Sequence, residues 1–268
     1  MPNIEIPKLE NPESLSDVFI QYYQIVKILR ENCPWDKEQT IESIAPLMIE
    51  ETYEFIEAIH NKKYTDAAKE LGDLLLHIVM HSIIAEENGY FNMLDVIKSN
   101  AHKMIIRHPH VFADVEIDNE SDVTRNWEKI KKTKEGQISV LDGVPKSMPS
   151  LLRAERIQHK ASRIGFDWNN EKDVWNKVYE ELEELKTEIE NNDKEKTSNE
   201  FGDFIFALVN LSRHLGIVAE DSLMKTNNKF TNRFKYIELK AKELNKDLNS
   251  MSLEEMDKLW DEAKSKGI

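Results

Sequence analysis

The 268-residue chain carries the same constellation of acids twice, 130 positions apart. Glu50, Glu51, Glu54, Glu70 and Asp73 recur as Glu180, Glu181, Glu184, Glu200 and Asp203, with 16 positions from third to fourth acid and Gly72 or Gly202 before the Asp. Residues three or four apart share one face of an α-helix, so Glu51 projects with Glu54 and Glu70 with Asp73. The interval between the pairs leaves room for a turn. Two antiparallel helices then aim four carboxylates at one place, and the second copy does the same with Glu181, Glu184, Glu200 and Asp203. A chain with this pattern is read as two similar halves.

The rest of the pattern agrees. Eight glycines and eight prolines fall between segments of 3.6-residue periodicity rather than between short alternating strands, which predicts an all-α fold. In the first half the pattern predicts helices over 14–32, 42–60, 64–88, 93–107 and 121–134, with CPWDKEQT as a break after the first. Pro46 is tolerable in the first turn of the second helix and kinks it if it lies deeper. The third contains LLLHIVMHSII, apolar nearly all round, and belongs at the centre of a bundle or between subunits. GQISVLDGVPKSMP holds two glycines, two prolines and little helical pattern. It marks a linker over 137–149, between an N-terminal domain, 1–136, and a C-terminal domain, 150–268. Helices are expected there over 150–162, 171–191, 194–215, 217–241 and 252–266, with FIFALVNL in the buried place of LLLHIVMH.

Charge narrows the partners. A net charge of −14 repels a nucleic-acid backbone and an anionic membrane surface, and an anionic small molecule needs a bridging cation. The single cysteine, Cys33, forms no internal disulfide and fits a reducing compartment as a small apolar residue. No run reaches the roughly 18 apolar residues of a membrane span, and the N-terminus lacks a basic stretch followed by an apolar one. A soluble, cytoplasmic protein is expected.

One EExxE in a chain with 50 acidic residues is ordinarily a solvated helix face; two in matching context are not. Like charges at i,i+4 cost roughly 0.2–0.5 kcal/mol per pair even when exposed, and acids from a second helix add to that. Raised proton affinity or a hard cation offsets the cost, and all-oxygen ligation suits Mg²⁺, with Mn²⁺ as the alternative. No Cys or His stands at ligand spacing beside the acids, which argues against zinc. A di-iron bundle uses Glu-x-x-His, where this chain reads Glu-x-x-Asp. His77 has Ala207 as its counterpart and reads as a packed core histidine; His108 and His110, in RHPHVF, read as a proline-flanked turn.

Lys229 and Arg233 lie four apart on one helix face, and Lys103 and Arg107 repeat the pair. Beside a metal site they suit polyphosphate oxygens; elsewhere they are ordinary surface charge. Trp127 and Trp260 are positioned either to stack on a base or to fill the core. There is no GxxxxGK[ST] loop, so metal and cations have to replace the glycine cradle.

The runs CPWDKEQT, EETYE…ELGD, RHPHVF, LLRAERIQHKASRIGFDW and YEELEE…EFGD closely resemble the two-domain form of the MazG family within the all-α nucleoside triphosphate pyrophosphohydrolases, over all but about the first dozen residues. The resemblance implies two tandem MazG-like helical bundles in a homodimer. It also implies Mg²⁺-dependent cleavage of a nucleoside triphosphate between the α and β phosphates, to a monophosphate and pyrophosphate. Carried over by position, the metal ligands are Glu181, Glu184, Glu200 and Asp203, with Glu51, Glu54, Glu70 and Asp73 in the first half. Lys196, Lys229 and Arg233 match triphosphate contacts and Trp260 a nucleotide contact. Glu180 is a candidate base or outer partner beside Glu181 and Glu184. Lys196 has Asp66 as its counterpart, an acid that repels phosphate, so the second half is expected to be the main catalyst. A non-hydrolysing NTP-binding protein is the rival from another class, and a dedicated dUTP or dCTP hydrolase the rival from the same superfamily.

Overall fold

A computed structural model describes residues 14–113, 123, 130 and 138–268. Among the described residues the regular structure is helical, without strands. The chain divides into two compact units, Met1–Glu116 and Ile117–Ile268.

In the first unit, Ser14 caps α1 (Leu15–Asn32) by accepting from the Asp17 amide. CPWDKEQT is more than a break. Its proline, whose missing N–H costs nothing in a first turn, opens α2 (Pro34–Lys37), and Thr40 with Ser43 forms a reciprocal cap on α3 (Ile41–His60). Pro46 lies in the second turn of α3. α4 (Tyr64–Glu87) supplies most of the core: Val79, Met80, Ile83 and Ile84 pack with Val26 of α1 and Ile44 of α3. Arg30 closes this end, paired with Glu87 at 2.8 Å and donating to the carbonyls of Lys37 and Gln39 at 3.0 Å each. α5 (Met93–Arg107) comes next, and RHPHVF, expected as a turn, forms the short α6 (Pro109–Phe112) because its proline again sits at a first-turn position. The helix expected over 121–134 lies largely outside the described residues; Val123 and Ile130 are helical.

The second unit contains α7 (Ser150–Ser162), α8 (Glu171–Glu190), α9 (Lys194–His214), α10 (Ala219–Glu243), a 3₁₀ turn (Leu248–Ser250) and α11 (Leu253–Ser265). The described part of the expected linker runs as turns and bends within this unit. Val174 and Val178 of α8 meet Ala207 and Leu211 of α9 in the core. FIFALVNL is less completely buried than its counterpart, since Phe206 and Leu208 keep about 40% of their surface. No single described helix is long and apolar enough to cross a membrane.

The duplication reaches the backbone. α3 and α4, and likewise α8 and α9, form helical hairpins whose turns hold Lys62 and Asn192 at φ 56°. The amides of these residues donate to Ile59 and Ile189 at 3.0 and 3.1 Å. Asparagine tolerates this left-handed conformation, whereas lysine adopts it at a cost of roughly 1 kcal/mol.

The segment between α7 and α8 is fixed to the end of α9. Arg213 donates to Asp167 at 2.8 Å and to Asn210 at 2.8 Å, and His214 Nε2 lies 3.0 Å from Asp167. Burial pushes the Asp167 carboxyl up, but the hydrogen bonds from Arg213 and His214 together outweigh it and hold its pKa below the ordinary value. A depressed native pKa adds stability above the unfolded value and loses it as pH falls through the native one. Asp167→Asn is therefore expected to cost about 2 kcal/mol at pH 7, with the gap to wild type closing below about pH 4. Coincident urea midpoints at pH 7 would show that the network contributes nothing.

Candidate functional site

Burial of an acid depends on where it falls on its helix. On α8 the buried stripe runs Val174, Val178, Glu181, Leu185, at helical spacing, so Glu181 occupies an apolar position and keeps 7% of its surface. Ile44 and Ala58 place Glu51 on the corresponding face of α3. Each hairpin brings acids from both of its helices together. Carboxylate oxygens of Glu51, Glu70 and Asp73 lie within 4.8 Å of one another, and so do those of Glu181, Glu184 and Glu200. Glu54 and Asp203 stand beside these triads, and their charges act on Glu51 and Glu200 respectively.

Burial, and then the charges of Asp73, Glu54, Glu70 and Glu50, raises the Glu51 pKa. Burial, followed by Glu184, Asp203 and Glu181, does the same for Glu200. An anionic cluster that holds its protons more tightly is one a hard divalent cation relieves, and the all-oxygen donor set fits such an ion.

The sequence reading missed Lys177. Its ammonium lies 2.7 Å from a carboxylate oxygen of Glu180 and 2.7 Å from one of Glu181. Those two hydrogen bonds, to Glu180 and then Glu181, raise its pKa. The signal was present as Lys-x-x-Glu-Glu, which puts both acids three and four residues beyond the lysine on one face. Leu47 is the first-unit counterpart, so that triad lacks this cation. Glu180, expected as a base or outer partner, is engaged by Lys177.

The expected substrate residues are distributed unevenly. Lys196 lies in the first turn of α9, where Asp193 caps its amide, and its ammonium is 4.0 Å from Glu188. Its counterpart Asp66 is paired with Lys69 at 2.9 Å. Arg233 of α10 and Trp260 of α11 come together, the guanidinium 5.3 Å from the ring centre, and Arg233 Nε donates to the Ile268 carbonyl at 2.7 Å. Lys229 is exposed on the same helix. No described contact joins these three to the acids. Lys103 is exposed and Arg107 half-buried on α5, and Trp127 lies outside the described residues. His77 is buried, while His108 Nδ1 lies 2.7 Å from the Met104 carbonyl; neither histidine belongs to an acid triad.

Two stretches, residues 39–112 and 170–237, match the MazG nucleotide pyrophosphohydrolase domain, and each contains one of the acid hairpins. The chain belongs to the MazG family. It is 40% identical over 257 residues to the nucleoside triphosphate pyrophosphohydrolase of Escherichia coli, covering 94% of this chain and 98% of the relative. It is 41% identical to the nucleoside triphosphate pyrophosphohydrolase/pyrophosphatase MazG of Thermotoga maritima, over 92% and 96% of the two chains. A Bacillus subtilis protein, YabN, is 45% identical over 98% of this chain, which spans 55% of that longer relative. The two MazG matches coincide with the two hairpins that carry the carboxylate triads.

The triads predict a charge signature. Without divalent ions, Glu200→Gln removes repulsion and is expected to raise the melting temperature of this MazG chain. Millimolar Mn²⁺ or Mg²⁺ is expected to raise that of wild type by several degrees and that of the variant by less. Thermal melts in which wild type ignores both ions would contradict a metal site.

Proposed function

We propose that this MazG chain hydrolyses nucleoside and deoxynucleoside triphosphates between the α and β phosphates, giving a monophosphate and pyrophosphate, with Mg²⁺ or Mn²⁺ held mainly in the second unit. The observation that carries the reading is the convergence of Glu181, Glu184 and Glu200 around one point, with Lys177 beside them. That the chain is a hydrolase acting on nucleoside triphosphates is supported by its family and by full-length relatives that bear that name.

Glu181, Glu184 and Glu200, with Asp203 adjacent, are the ligands for the ion, and Glu51, Glu54, Glu70 and Asp73 are the weaker first-unit set. A divalent cation bound there supplies charge neutralisation for the phosphates and increases the acidity of water. The water oxygen bonds to the α phosphorus as the bond to the bridging oxygen breaks, and pyrophosphate leaves with the electron pair. Glu180, exposed beside the triad, takes the water proton. Lys177 orients Glu180 and Glu181. Lys196, Lys229 and Arg233 provide positive charge for the departing pyrophosphate, and Trp260, held against Arg233, contacts the nucleotide. Lys103, Arg107 and Trp127 are their first-unit counterparts. Asp66 in place of Lys196 and Leu47 in place of Lys177 make the first site the poorer one. Exposed Phe201 and Leu208 on α9 offer an apolar face to a second copy and support a homodimer. Broad acceptance of bases and a cytoplasmic setting complete the reading.

Incubation with each common triphosphate and Mg²⁺, resolved by anion exchange, is expected to give monophosphate and pyrophosphate. Diphosphate with orthophosphate would reject the bond assignment, and intact nucleotide would favour the binding-protein rival. Glu184→Gln is expected to lower kcat by about 100-fold or more, and Glu54→Gln much less. Equal losses would refute the division of labour between the units.

A further inference from the structure

Beside the second triad lies a cavity of about 610 Å³, within the roughly 300–1,000 Å³ of small-molecule pockets. Its walls are largely apolar and aromatic, including Val140, Leu141, Ile157, Phe166 and Trp168, while Lys177, Glu181 and Asp203 line it at the acid site. Gln158 of α7 also lines it and keeps only 7% of its surface. The Gln158 amide nitrogen donates to the Phe206 carbonyl at 2.8 Å, which fixes the amide's orientation. Its carbonyl oxygen is buried and has no hydrogen-bond partner. A buried acceptor left unpaired is costly, and one carried by a residue that lines a cavity points to a ligand with a donor.

We propose that this cavity receives the nucleobase and that Gln158 accepts a hydrogen bond from an N–H on it, making Gln158 a specificity-determining residue. The inference rests on the triphosphatase reading, because the metal ligands at the cavity wall are what place the phosphates outside it. A largely apolar slot whose wall holds the unpaired acceptor of Gln158 fits a flat heteroaromatic ring that carries a donor, and adenine, guanine, cytosine, uracil and thymine all carry one. The same acceptor thus serves every common base and excludes rings without a donor. Trp260 is the other aromatic candidate, but its ring is already met by Phe230 at 5.2 Å and by Arg233.

Both walls are braced. The ammonium of Lys160, 2% exposed, donates to the carbonyls of Val140 at 2.9 Å and Asp142 at 2.6 Å, holding the turn that carries Ser139, Val140 and Leu141. Asp167, held by Arg213, fixes the segment with Phe166 and Trp168. In the first unit two counterpart positions carry larger side chains, Ile44 for Val174 and His77 for Ala207, and Leu47 replaces Lys177. There Tyr22, Leu47 and Leu76 pack onto the core.

The test compares ATP with purine riboside triphosphate, in which hydrogen replaces the adenine amino group, and CTP with its pyrimidin-2-one analogue. For wild type, kcat/KM is expected to be about tenfold lower for each donorless analogue. Gln158→Leu is expected to bring ATP and CTP down to the level of their analogues, with Mn²⁺ binding unchanged by titration. Equal kcat/KM for ATP and its analogue in wild type overturns the inference whatever the variant does, and so does discrimination that survives in folded Gln158→Leu. If wild type hydrolyses none of the four, the triphosphatase reading itself fails, and this inference with it.

Discussion

Like charge brought together on purpose is the constraint on which this molecule depends. Each hairpin holds acids from two helices at one point, where they repel, and nothing within the acids opposes that repulsion. Apolar packing does. The stripe that buries Glu181 is the one through which Val174 and Val178 pack against Ala207 and Leu211 of α9. Hydrophobic burial contributes on the order of 2 kcal/mol per fully buried Val or Leu, several times the repulsion of an exposed like-charged pair. The hairpin therefore closes with its acids facing one another, and the electrostatic strain is stored where a cation can relieve it.

The two copies handle this strain differently. In the second unit Lys177 offsets part of the negative charge from within the helix, and the space beside the acids stays open. In the first unit a leucine stands at that position, and Tyr22 reaches towards the acids, its pKa raised by burial and then by the charge of Asp73. One hairpin frame has thus been kept for its geometry in both places. Its surroundings differ: a cavity lies beside the acids in the second unit, and Tyr22, Leu47 and Leu76 pack against the core in the first.

What the sequence made legible was whatever depends on short-range periodicity. The spacing of Glu51, Glu54, Glu70 and Asp73 implied helices, a turn and a convergence. The limits of α5 and α7 agree with expectation at every residue, because Asn92 caps the one and Pro149 precedes the other. The break at CPWDKEQT was legible, since α1 ends at Asn32, but the short helices inside it and inside RHPHVF were not: proline marks a helix start as readily as a helix end, and the residues on its C-terminal side decide between the two. The cavity was not legible at all. It is formed by side chains from the segment before α7, from α7 itself and from α8 and α9, which are distant in sequence, and no local pattern encodes a space. Gln158 gave no signal either, since a glutamine in an amphipathic helix reads as surface until its burial is known.

Lys160 carries the same lesson in a sharper form. A lysine in QHKAS reads as a solvated cation, yet it is 2% exposed and bonded to two backbone carbonyls. Burying an ammonium is expensive unless its donors are met, and the carbonyls of Val140 and Asp142 meet two of them. Backbone dipoles of that turn help to hold the lysine in the second unit. The turn to which those carbonyls belong is thereby pinned as a wall of the cavity. The acids, the cation that Lys177 supplies and the wall that Lys160 holds are thus three answers to one electrostatic problem, which is how to keep a concentrated negative site beside an apolar space without either collapsing onto the other.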